Sequence, residues 1–536
     1  MFGMKRPDDE NAISVTLTLY NQLIELEKQG INGIWARIIK NAFAPIFQPK
    51  FDLIAGNPPW VNWENLPEDY RQETIPLWEF YGLFPHKGMD AILGKGKKDI
   101  SMLMTYVAID KYLKDNGKLG FVITQTVFKS TGAGQGFRRF KLADGTPIKI
   151  VGVDDMAFIK PFKDASNRTS IVIMVKNQVM TYPLNSYLLW YKPDGGLTIN
   201  ETITLEYIVK NKVASYRQFL AEPVDENDKT SSWLTAPRAA FKSIRTILGK
   251  SEYEAHLGVN AGGASGIYWL DLISTNPDGT LLVSNKTECS KKKLDSVQVR
   301  LEPELVYPLV RERGIKKWHY IQNDYLLFVQ DPDRRKGYDE RWLSTNYPKT
   351  YGYLKYFEEF LRDRPAYNRY YSTKDPFYSM FNVGNYTMSD YKVAWSRLEK
   401  TINACVISKD NNGKLIIPQE TISFIACDSK DEADYLCGIL NSAMFNFAVQ
   451  SYSMTGGKSF GTPNILENIN VPKFDPSNEK HMEIVNLSRK AQELTSQNDT
   501  ENLEIIENQI DRVTGEVWNM NENDIKELKE IQVTIY

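Results

Sequence analysis

The chain has 536 residues, enough for roughly two to four domains with a large hydrophobic core. Its net charge of −2 excludes a globally basic protein, so any nucleic-acid surface is expected to be a local patch. The four cysteines show no CxxC spacing and the four histidines no HExxH motif, so we predict neither a metal site nor a disulfide framework. Without a long apolar run or a leader pattern, the sequence predicts a cytoplasmic protein with no membrane span.

Residues 1–50 predict a helical lead-in. Apolar residues keep helical spacing from Ile13 to Ile24 and again from Ile34 to Phe43, and Gly30 and Gly33 separate the two stretches. We therefore expect two helices ahead of the next apolar run.

That run, Phe51 to Ile54, predicts a buried strand that ends in a rigid turn. Gly56 permits the turn, and the consecutive prolines Pro58 and Pro59 fix φ and remove two backbone donors. Because neither a helix nor a strand ladder can continue through them, the chain has to present its polar groups outward at this point.

The tetrapeptide Asn57-Pro58-Pro59-Trp60 offers the groups that bind a planar amine. Such an amine needs two hydrogen-bond acceptors in its plane and an aromatic face to stack on. Asn57 supplies an amide oxygen, Pro58 a carbonyl and Trp60 the face. After an apolar strand, these four residues resemble the catalytic motif of S-adenosylmethionine-dependent N6-adenine DNA methyltransferases. A surface turn is the alternative interpretation.

The resemblance implies a function for the whole tip. Asn57, Pro58, Pro59 and Trp60 would be catalytic, S-adenosylmethionine would be the methyl donor, and the N6 amine of adenine in double-stranded DNA would be the acceptor, reached by base flipping. It also implies a restriction-modification or phage-defence system of the type IIG-like, gamma class, in which a restriction nuclease is a further candidate partner.

One part of the resembled family's pattern is missing. In that family a Gly-rich turn from strand to helix holds the cofactor ahead of the tip, but the first 56 residues contain no G-x-G. The Gly-rich stretches 132–136 and 262–266 predict turns, because the first lacks a following acidic residue and the second leads into a strand. We expect a fragment, a permuted enzyme, or a second polypeptide that carries the cofactor motif.

From Asp99 onward the pattern is typical of an α/β domain. Ile100 to Leu113 predicts a helix that ends at Asn116-Gly117, and Lys118 to Thr124 predicts a strand. The resemblance implies that Asp99 binds the cofactor. An acidic residue favoured at a helix N-terminus by the macrodipole is the alternative.

Two later strands, Ile148 to Asp155 and Ser170 to Lys176, enclose a loop with two aromatic residues. In the resembled family, a loop aromatic at this place stacks on the second face of the flipped base. Phe162 matches that place and Phe158 is the second choice, with ordinary core packing as the alternative. Trp60 and Phe162 would then hold the base between them.

The charged stretch Glu222 to Ser232 predicts a linker between two regions. Before it we expect a Rossmann-like methyltransferase half-domain in α/β style over residues 51–220. After it, many short aromatic strands and turns resemble an α+β DNA target-recognition domain over residues 236–475, followed by C-terminal helices over residues 476–536.

Helical spacing stands out at four places in these later regions. Leu354 to Arg364 and Glu432 to Phe447 each predict one helix. Ile484 to Leu494 and Leu503 to Val513 predict a terminal helical pair.

Basic residues interleaved with aromatic side chains form the candidate DNA-binding surface. Lysine and arginine at this density can neutralise phosphates and contact base edges, and a mixed solvated surface is the alternative. The candidates are Lys291, Lys292, Lys293, Arg311, Arg313, Lys316, Lys317, Arg334, Arg335 and Lys336.

Two other functions share part of these features. A protein-glutamine or RNA adenine methyltransferase would use the same tip, but such an enzyme has no evident need for the long region that follows. A non-catalytic DNA-binding or specificity subunit would account for the missing cofactor motif, and it would need a partner that carries this motif.

Overall fold

The computed structural model describes residues 10–30, 37, 40–41, 44–84, 98–130, 132–159, 161–162, 167–192, 202–290, 292–453 and 460–535. No helix among these residues is long and apolar enough to cross a membrane. The predicted second lead-in helix, from Ile34 to Phe43, lies mostly outside the described residues, whereas the first is present as a helix from Glu10 to Lys28.

The first part of the described chain forms a mixed sheet. Its strands are β1 (Phe51–Gly56), β2 (Leu113–Thr124), β3 (Ile148–Asp155), β4 (Thr169–Lys176), β5 (Leu184–Tyr191), β6 (Ser215–Pro223) and β7 (Trp233–Ala236). They lie in the order β1-β2-β4-β3-β5-β6-β7. β1 pairs with β2 and β3 with β5 in parallel, and the other neighbours are antiparallel.

Helices precede, connect and follow these strands. They are α1 (Glu10–Lys28), α2 (Glu68–Phe80), α3 (Ile100–Val107), α4 (Thr126–Lys129), α5 (Gly132–Gln135), α6 (Leu205–Lys210) and α7 (Arg238–Ile247). A π-helical turn, Ala108–Tyr112, extends α3 to the start of β2. The mixed α/β character predicted for this region is therefore present.

Two predictions about the strands are wrong. β1 is not buried, because β2 is its one strand neighbour in the described part of the chain and Leu53 is 72% exposed. β2 begins at Leu113 and not at Lys118. Asn116, with φ of 61°, turns the backbone inside the strand, and the pairing with β1 resumes beyond the irregularity.

The predicted linker is also wrong, since Glu222 and Pro223 lie in β6 and residues 224–232 connect the two strands of a β-hairpin. β6 and β7 pair in antiparallel fashion on either side of it, and Trp233 is fully buried. Arg245 in α7 holds the hairpin through an ion pair with Glu222 and a hydrogen bond to the carbonyl of Val224. The first sheet therefore continues to Ala236.

Two further sheets and two small hairpins follow. Their strands are β8 (Ala255–Leu257), β9 (Trp269–Thr275), β10 (Leu281–Asn285), β11 (Gln298–Leu301), β12 (Val306–Val310), β13 (Ile315–Lys316), β14 (His319–Tyr320), β15 (Asp324–Leu327), β16 (Gln330–Asp331), β17 (Lys336–Gly337), β18 (Tyr391–Ser396), β19 (Ala404–Ile407), β20 (Ile417–Pro418) and β21 (Ile422–Cys427). One sheet has the order β11-β10-β9-β15-β12-β20 and the other β19-β18-β21-β8. β13 pairs with β14, and β16 with β17.

The helices of this region are α8 (Ser265–Tyr268), α9 (Glu340–Asn346), α10 (Pro348–Tyr356), α11 (Glu358–Arg362), α12 (Pro365–Tyr370), α13 (Lys430–Asn441), α14 (Ala443–Tyr452), α15 (Glu479–Ser496), α16 (Thr500–Val517) and α17 (Glu522–Ile535). Each of the two helices predicted over Leu354 to Arg364 and Glu432 to Phe447 is divided into two helices in the structure. Ser442 caps α14 at the break between α13 and α14. The predicted terminal pair is present, and α17 follows it as a third helix.

The hydrophobic cores do not follow the predicted domain boundaries. One continuous core joins Trp233 of the first sheet, Trp395 of β18 and Trp518 beyond α16. A separate core lies under the six-stranded sheet and includes Leu270 and Leu354. A third, smaller core includes Ala394 and Phe424. Residues 236–475 thus contribute to three cores, and Trp395 of β18 packs together with the first sheet.

Candidate functional site

The tip, residues 57–60, follows β1 and contacts β2. Asn57 and Pro59 are exposed, Pro58 is buried, and Trp60 is half-buried. The Trp60 indole Nε1 donates a hydrogen bond to the backbone carbonyl of Val122 at 3.0 Å. The amide of Asn57 is therefore free to meet a ligand while the neighbouring aromatic ring is held in place.

The sequence motif depends on a close approach just before the tip. Gly56 lies opposite Phe121 in the parallel ladder, and a Cβ at Gly56 would lie 3.1 Å from the Phe121 ring. A larger residue at this position would require the Phe121 ring to shift by a few tenths of an ångström.

The second predicted aromatic is adjacent to the first. The ring centroids of Trp60 and Phe162 are 5.0 Å apart, with an interplanar angle of 69°. Phe162 is 38% exposed, whereas Phe158 packs against the main core. The fold thus brings together two residues that are 102 positions apart, Trp60 and Phe162, and the geometry favours Phe162 over Phe158.

Sequence reasoning missed Asn167, whose side chain contacts the tip. Its side-chain Nδ2 donates a hydrogen bond to the backbone carbonyl of Trp60 at 3.3 Å. The polar run from Ser166 to Ser170, placed directly before an apolar strand, is the signal that could have pointed to it. This bond ties the tip and the aromatic loop together.

A buried polar layer lies behind these loops. The carbonyl of Arg168 accepts a hydrogen bond from the backbone N–H of Gln125, and the Gln125 side chain donates to Asp155 at 2.6 Å. Burial raises the pKa of Asp155, and hydrogen bonds from Tyr187 and Gln125 oppose the rise. Burial also lowers the pKa of Arg168, and the charge of Asp155 opposes this effect. The chain at Arg168 therefore packs on a layer of buried polar side chains.

Asp99 lies beside the tip, and its carboxylate caps α3. Its Oδ1 accepts the backbone N–H of Ser101 at 2.8 Å, and the residue is 5% exposed. The backbone N–H of Ile100 donates to the carbonyl of Val61 at 3.0 Å, so the start of α3 is attached to the chain that leaves the tip. Burial raises the pKa of Asp99, and the Ser101 hydrogen bonds oppose the rise. The capping role is present, and a cofactor contact stays a prediction.

Three glycines of the two Gly-rich stretches, Gly134, Gly136 and Gly262, are closely packed against the protein's own atoms. A Cβ at Gly134 would lie 2.4 Å from the carbonyl oxygen of Val127, and one at Gly136 would lie 2.7 Å from Cα of Leu83. A Cβ at Gly262 would lie 2.6 Å from the Phe381 ring. These glycines allow close packing, so within the described residues they do not form a cradle for the methionine part of S-adenosylmethionine.

The candidate DNA-binding residues fall into two groups. Lys291 lies outside the described residues. Ion pairs engage Lys292 with Asp363, Arg311 with Asp324, Lys317 with Glu507 and Lys336 with Asp375. In the part of the chain that the structure describes, five exposed cations have no such partner: Lys293, Arg313, Lys316, Arg334 and Arg335.

Comparison with known proteins shows the class of this chain, a methyltransferase of restriction-modification systems. The family described as Eco57I restriction-modification methylase matches residues 8–158. The type II methyltransferase M.NspV of Nostoc sp. (strain ATCC 29411 / PCC 7524) is 32% identical over 396 residues, which cover 73% of this chain and 70% of that protein. The chain belongs to the restriction-modification methylase family.

The fold is also found in a solved structure. The type IIL restriction-modification enzyme MmeI, solved in complex with DNA, superposes with a TM-score of 0.50 at 10% identity. The match covers 90% of this chain and 56% of that enzyme, so the chain spans about half of its length. At this identity the likeness is one of fold.

Proposed function

We propose that this chain transfers a methyl group from S-adenosylmethionine to the N6 amine of adenine in duplex DNA. The observation that carries the proposal is the placement of the exposed Asn57 beside the anchored ring of Trp60, with Phe162 against that ring. Membership of the restriction-modification methylase family supports the same class of substrate.

The chemistry follows from the acceptors at the tip. The N6 amine has two hydrogens in the plane of the base, and the Asn57 side-chain oxygen and the Pro58 carbonyl can accept them. Pro59 has no N–H that could compete for these oxygens. Hydrogen bonds to both protons hold the nitrogen in one orientation and keep its electron density available. S-adenosylmethionine, when bound, supplies an electrophilic methyl group, so catalysis is largely a matter of positioning.

The base must leave the duplex to reach this tip. Flipping costs a few kcal/mol, which stacking and edge hydrogen bonds offset in the pocket. The rings of Trp60 and Phe162 contact each other directly, so they leave no room for a third ring between them. We infer that Phe162 moves away from Trp60 as the base enters and then covers its second face.

We propose that a second polypeptide carries the Gly-rich part of the cofactor site and pairs with β1. The outer edge of β1 has no strand neighbour within the described residues, and Phe51 and Leu53 are 43% and 72% exposed. An apolar strand with free N–H and C=O groups along one edge is a template for another strand. Pairing there would extend the sheet next to the tip, where a cofactor-binding turn is needed.

The test compares Asn57→Ala with Asn65→Ala in the full chain, co-expressed with the genes that flank it. Asn65 is also exposed and lies in the same segment, but outside the tip. Incorporation of labelled methyl groups into duplex DNA should be lost in Asn57→Ala and kept in Asn65→Ala, with N6-methyladenine as the product. Near wild-type transfer by Asn57→Ala, or a methylated cytosine, RNA or protein, would contradict the proposal.

A further inference from the structure

The hairpin of β16 and β17 carries two adjacent arginines at its tip. Both Arg334 and Arg335 are exposed. In contrast to Lys336 beside them, neither guanidinium has an ion-pair or hydrogen-bond partner within the described residues. Their donors are therefore available to a ligand.

The backbone of this tip is held rigidly from within. Asp331 Oδ1 accepts the backbone N–H of Asp333 at 3.0 Å and that of Arg334 at 3.2 Å. This is the turn that an Asp side chain forms with the backbone two and three residues on. Arg335 has φ of 55°, which completes the reversal of the chain.

Neighbouring elements hold the same tip from outside. Asn385 Nδ2 donates to Asp333 Oδ1 at 2.9 Å. The Tyr371 hydroxyl donates to the carbonyl of Met380 at 2.6 Å and lies 3.2 Å from the carbonyl of Arg335. Lys336 pairs with Asp375 at 2.8 Å at the base of the hairpin. The arginine side chains thus project from a backbone that is attached at several points. Residues that recognise a ligand by its geometry need such a rigid support.

A flat aromatic pair stands beside Arg335. The rings of His256 and Tyr386 stack with centroids 3.8 Å apart and an interplanar angle of 5°. Burial lowers the pKa of His256, and the charge of Arg335 adds to this effect while Glu254 opposes it. The hairpin tip therefore carries a cation next to a flat aromatic pair whose histidine favours the neutral form.

The local charge argues against simple attraction to phosphates. Backbone binding needs a surplus of positive charge, because the affinity comes from the release of counterions. Here the number of cations equals the number of carboxylates. The cations are Arg334, Arg335 and Lys336, and the carboxylates are Asp331, Asp333 and Asp375. Directed donors on a neutral, rigid turn suit base edges better than phosphates.

We propose that this hairpin enters the major groove of the target DNA and that Arg334 and Arg335 read guanines there. The groove admits a two-stranded ribbon, and a guanidinium can pair with both O6 and N7 of guanine. This inference rests on the proposed function, since it assigns the sequence selection of a DNA methyltransferase to these two residues.

The experiment selects duplexes from a random-sequence DNA library with the full chain and with four variants: Arg334→Ala, Arg335→Ala, Arg334→Lys and Arg335→Lys. The wild type should enrich a motif with defined G·C positions. Each variant should lose about 5- to 150-fold of discrimination at one of them, because a good bidentate pair is worth that much. The Lys variants should behave like the Ala variants, since an ammonium keeps the charge but not the fork.

Other outcomes would overturn the inference. A uniform loss of affinity with a flatter salt dependence, rescued by lysine, would identify phosphate contacts. An unchanged motif in all four variants, or a wild type that enriches no motif, would also refute it. Arg313→Ala serves as a control, because a phosphate contact there should lower affinity for every sequence equally. A chain that enriches a motif but does not methylate it even when co-expressed with the genes that flank it would refute the proposed function and leave the reading of guanine intact.

Discussion

The indole Nε1 of Trp60 donates a hydrogen bond to the backbone carbonyl of Val122 at 3.0 Å, across 62 positions of the chain. Trp60 follows β1 and Val122 lies in β2, so this bond fixes one aromatic wall of the site to the neighbouring strand. A ring that is already oriented loses little conformational freedom when a base stacks on it.

Replacing Trp60 with Phe should lower kcat/KM for duplex DNA about fivefold, because the ring remains but its anchor, worth about 1 kcal/mol, is lost. Steady-state methyl transfer measures the effect. Trp63→Phe is the matched control, since the Trp63 indole nitrogen is buried without a hydrogen-bond partner among the described residues. Equal activity of the two variants would show that the anchor has no role in catalysis.

Replacing Phe162 with Ala should reduce methyl transfer about 5- to 150-fold, the usual loss for one stacked base. The melting temperature should stay close to that of the wild type, because Phe162 is 38% exposed. Phe162→Tyr keeps the ring and should retain most activity. A fully active Phe162→Ala, or an inactive Phe162→Tyr that melts normally, would argue against stacking.

The unpaired cations should dominate the salt dependence of DNA binding. Replacing Arg313 and Lys316 together with Ala should lower the slope of log affinity against log salt by about 2, since each phosphate contact contributes roughly 0.9. Lys292 and Lys317 are the control pair, because Asp363 and Glu507 already neutralise them. Titration of a labelled duplex at several salt concentrations measures the slopes. Equal slopes for both double variants would contradict the division into ion-paired and unpaired cations.

Lys129 should make the stability of the fold depend on pH. Its Nζ lies within hydrogen-bond distance of the carbonyl oxygens of Trp233 and Ser451 and of Thr235 Oγ1, so it joins the first sheet to α14. Burial lowers its pKa from 10.5 to about 7, and Asp155 opposes the fall. Between these values the unfolded chain binds a proton that the folded chain lacks, so the contribution of Lys129 to stability rises with pH.

The comparison with Lys129→Met isolates this effect. From about pH 7 to about pH 9, the free energy of unfolding of the wild type should rise relative to that of the variant, by up to about 1.4 kcal/mol per pH unit. Urea unfolding at matched salt provides the measurement. A difference that falls with pH, or does not change, would mean that Lys129 keeps its proton in the folded state.

Local chemistry made much of the site predictable. Two prolines after an apolar strand permit few backbone conformations, so the outward tip at Asn57 follows from the sequence, and the strand Ile148–Asp155 matches its prediction at both ends. The break between α13 and α14 was not evident from the sequence, because a serine can lie inside a helix or cap one. In the structure the Ser442 hydroxyl accepts the backbone N–H of Phe445 and caps α14.

By itself, the sequence determined the tip, the order of the aromatic residues around it and the family resemblance, since each depends on neighbours along the chain. The tertiary structure decided which candidate residues are available. Lys292 meets Asp363 across 71 positions, whereas Arg334 and Arg335 meet no carboxylate in the described part of the chain. It also decided that β1 lies at a sheet edge and that the charged stretch 222–232 forms the end of β6 and a hairpin connection. Pairing of charges and strands depends on the path of the chain, so no local pattern can reveal it.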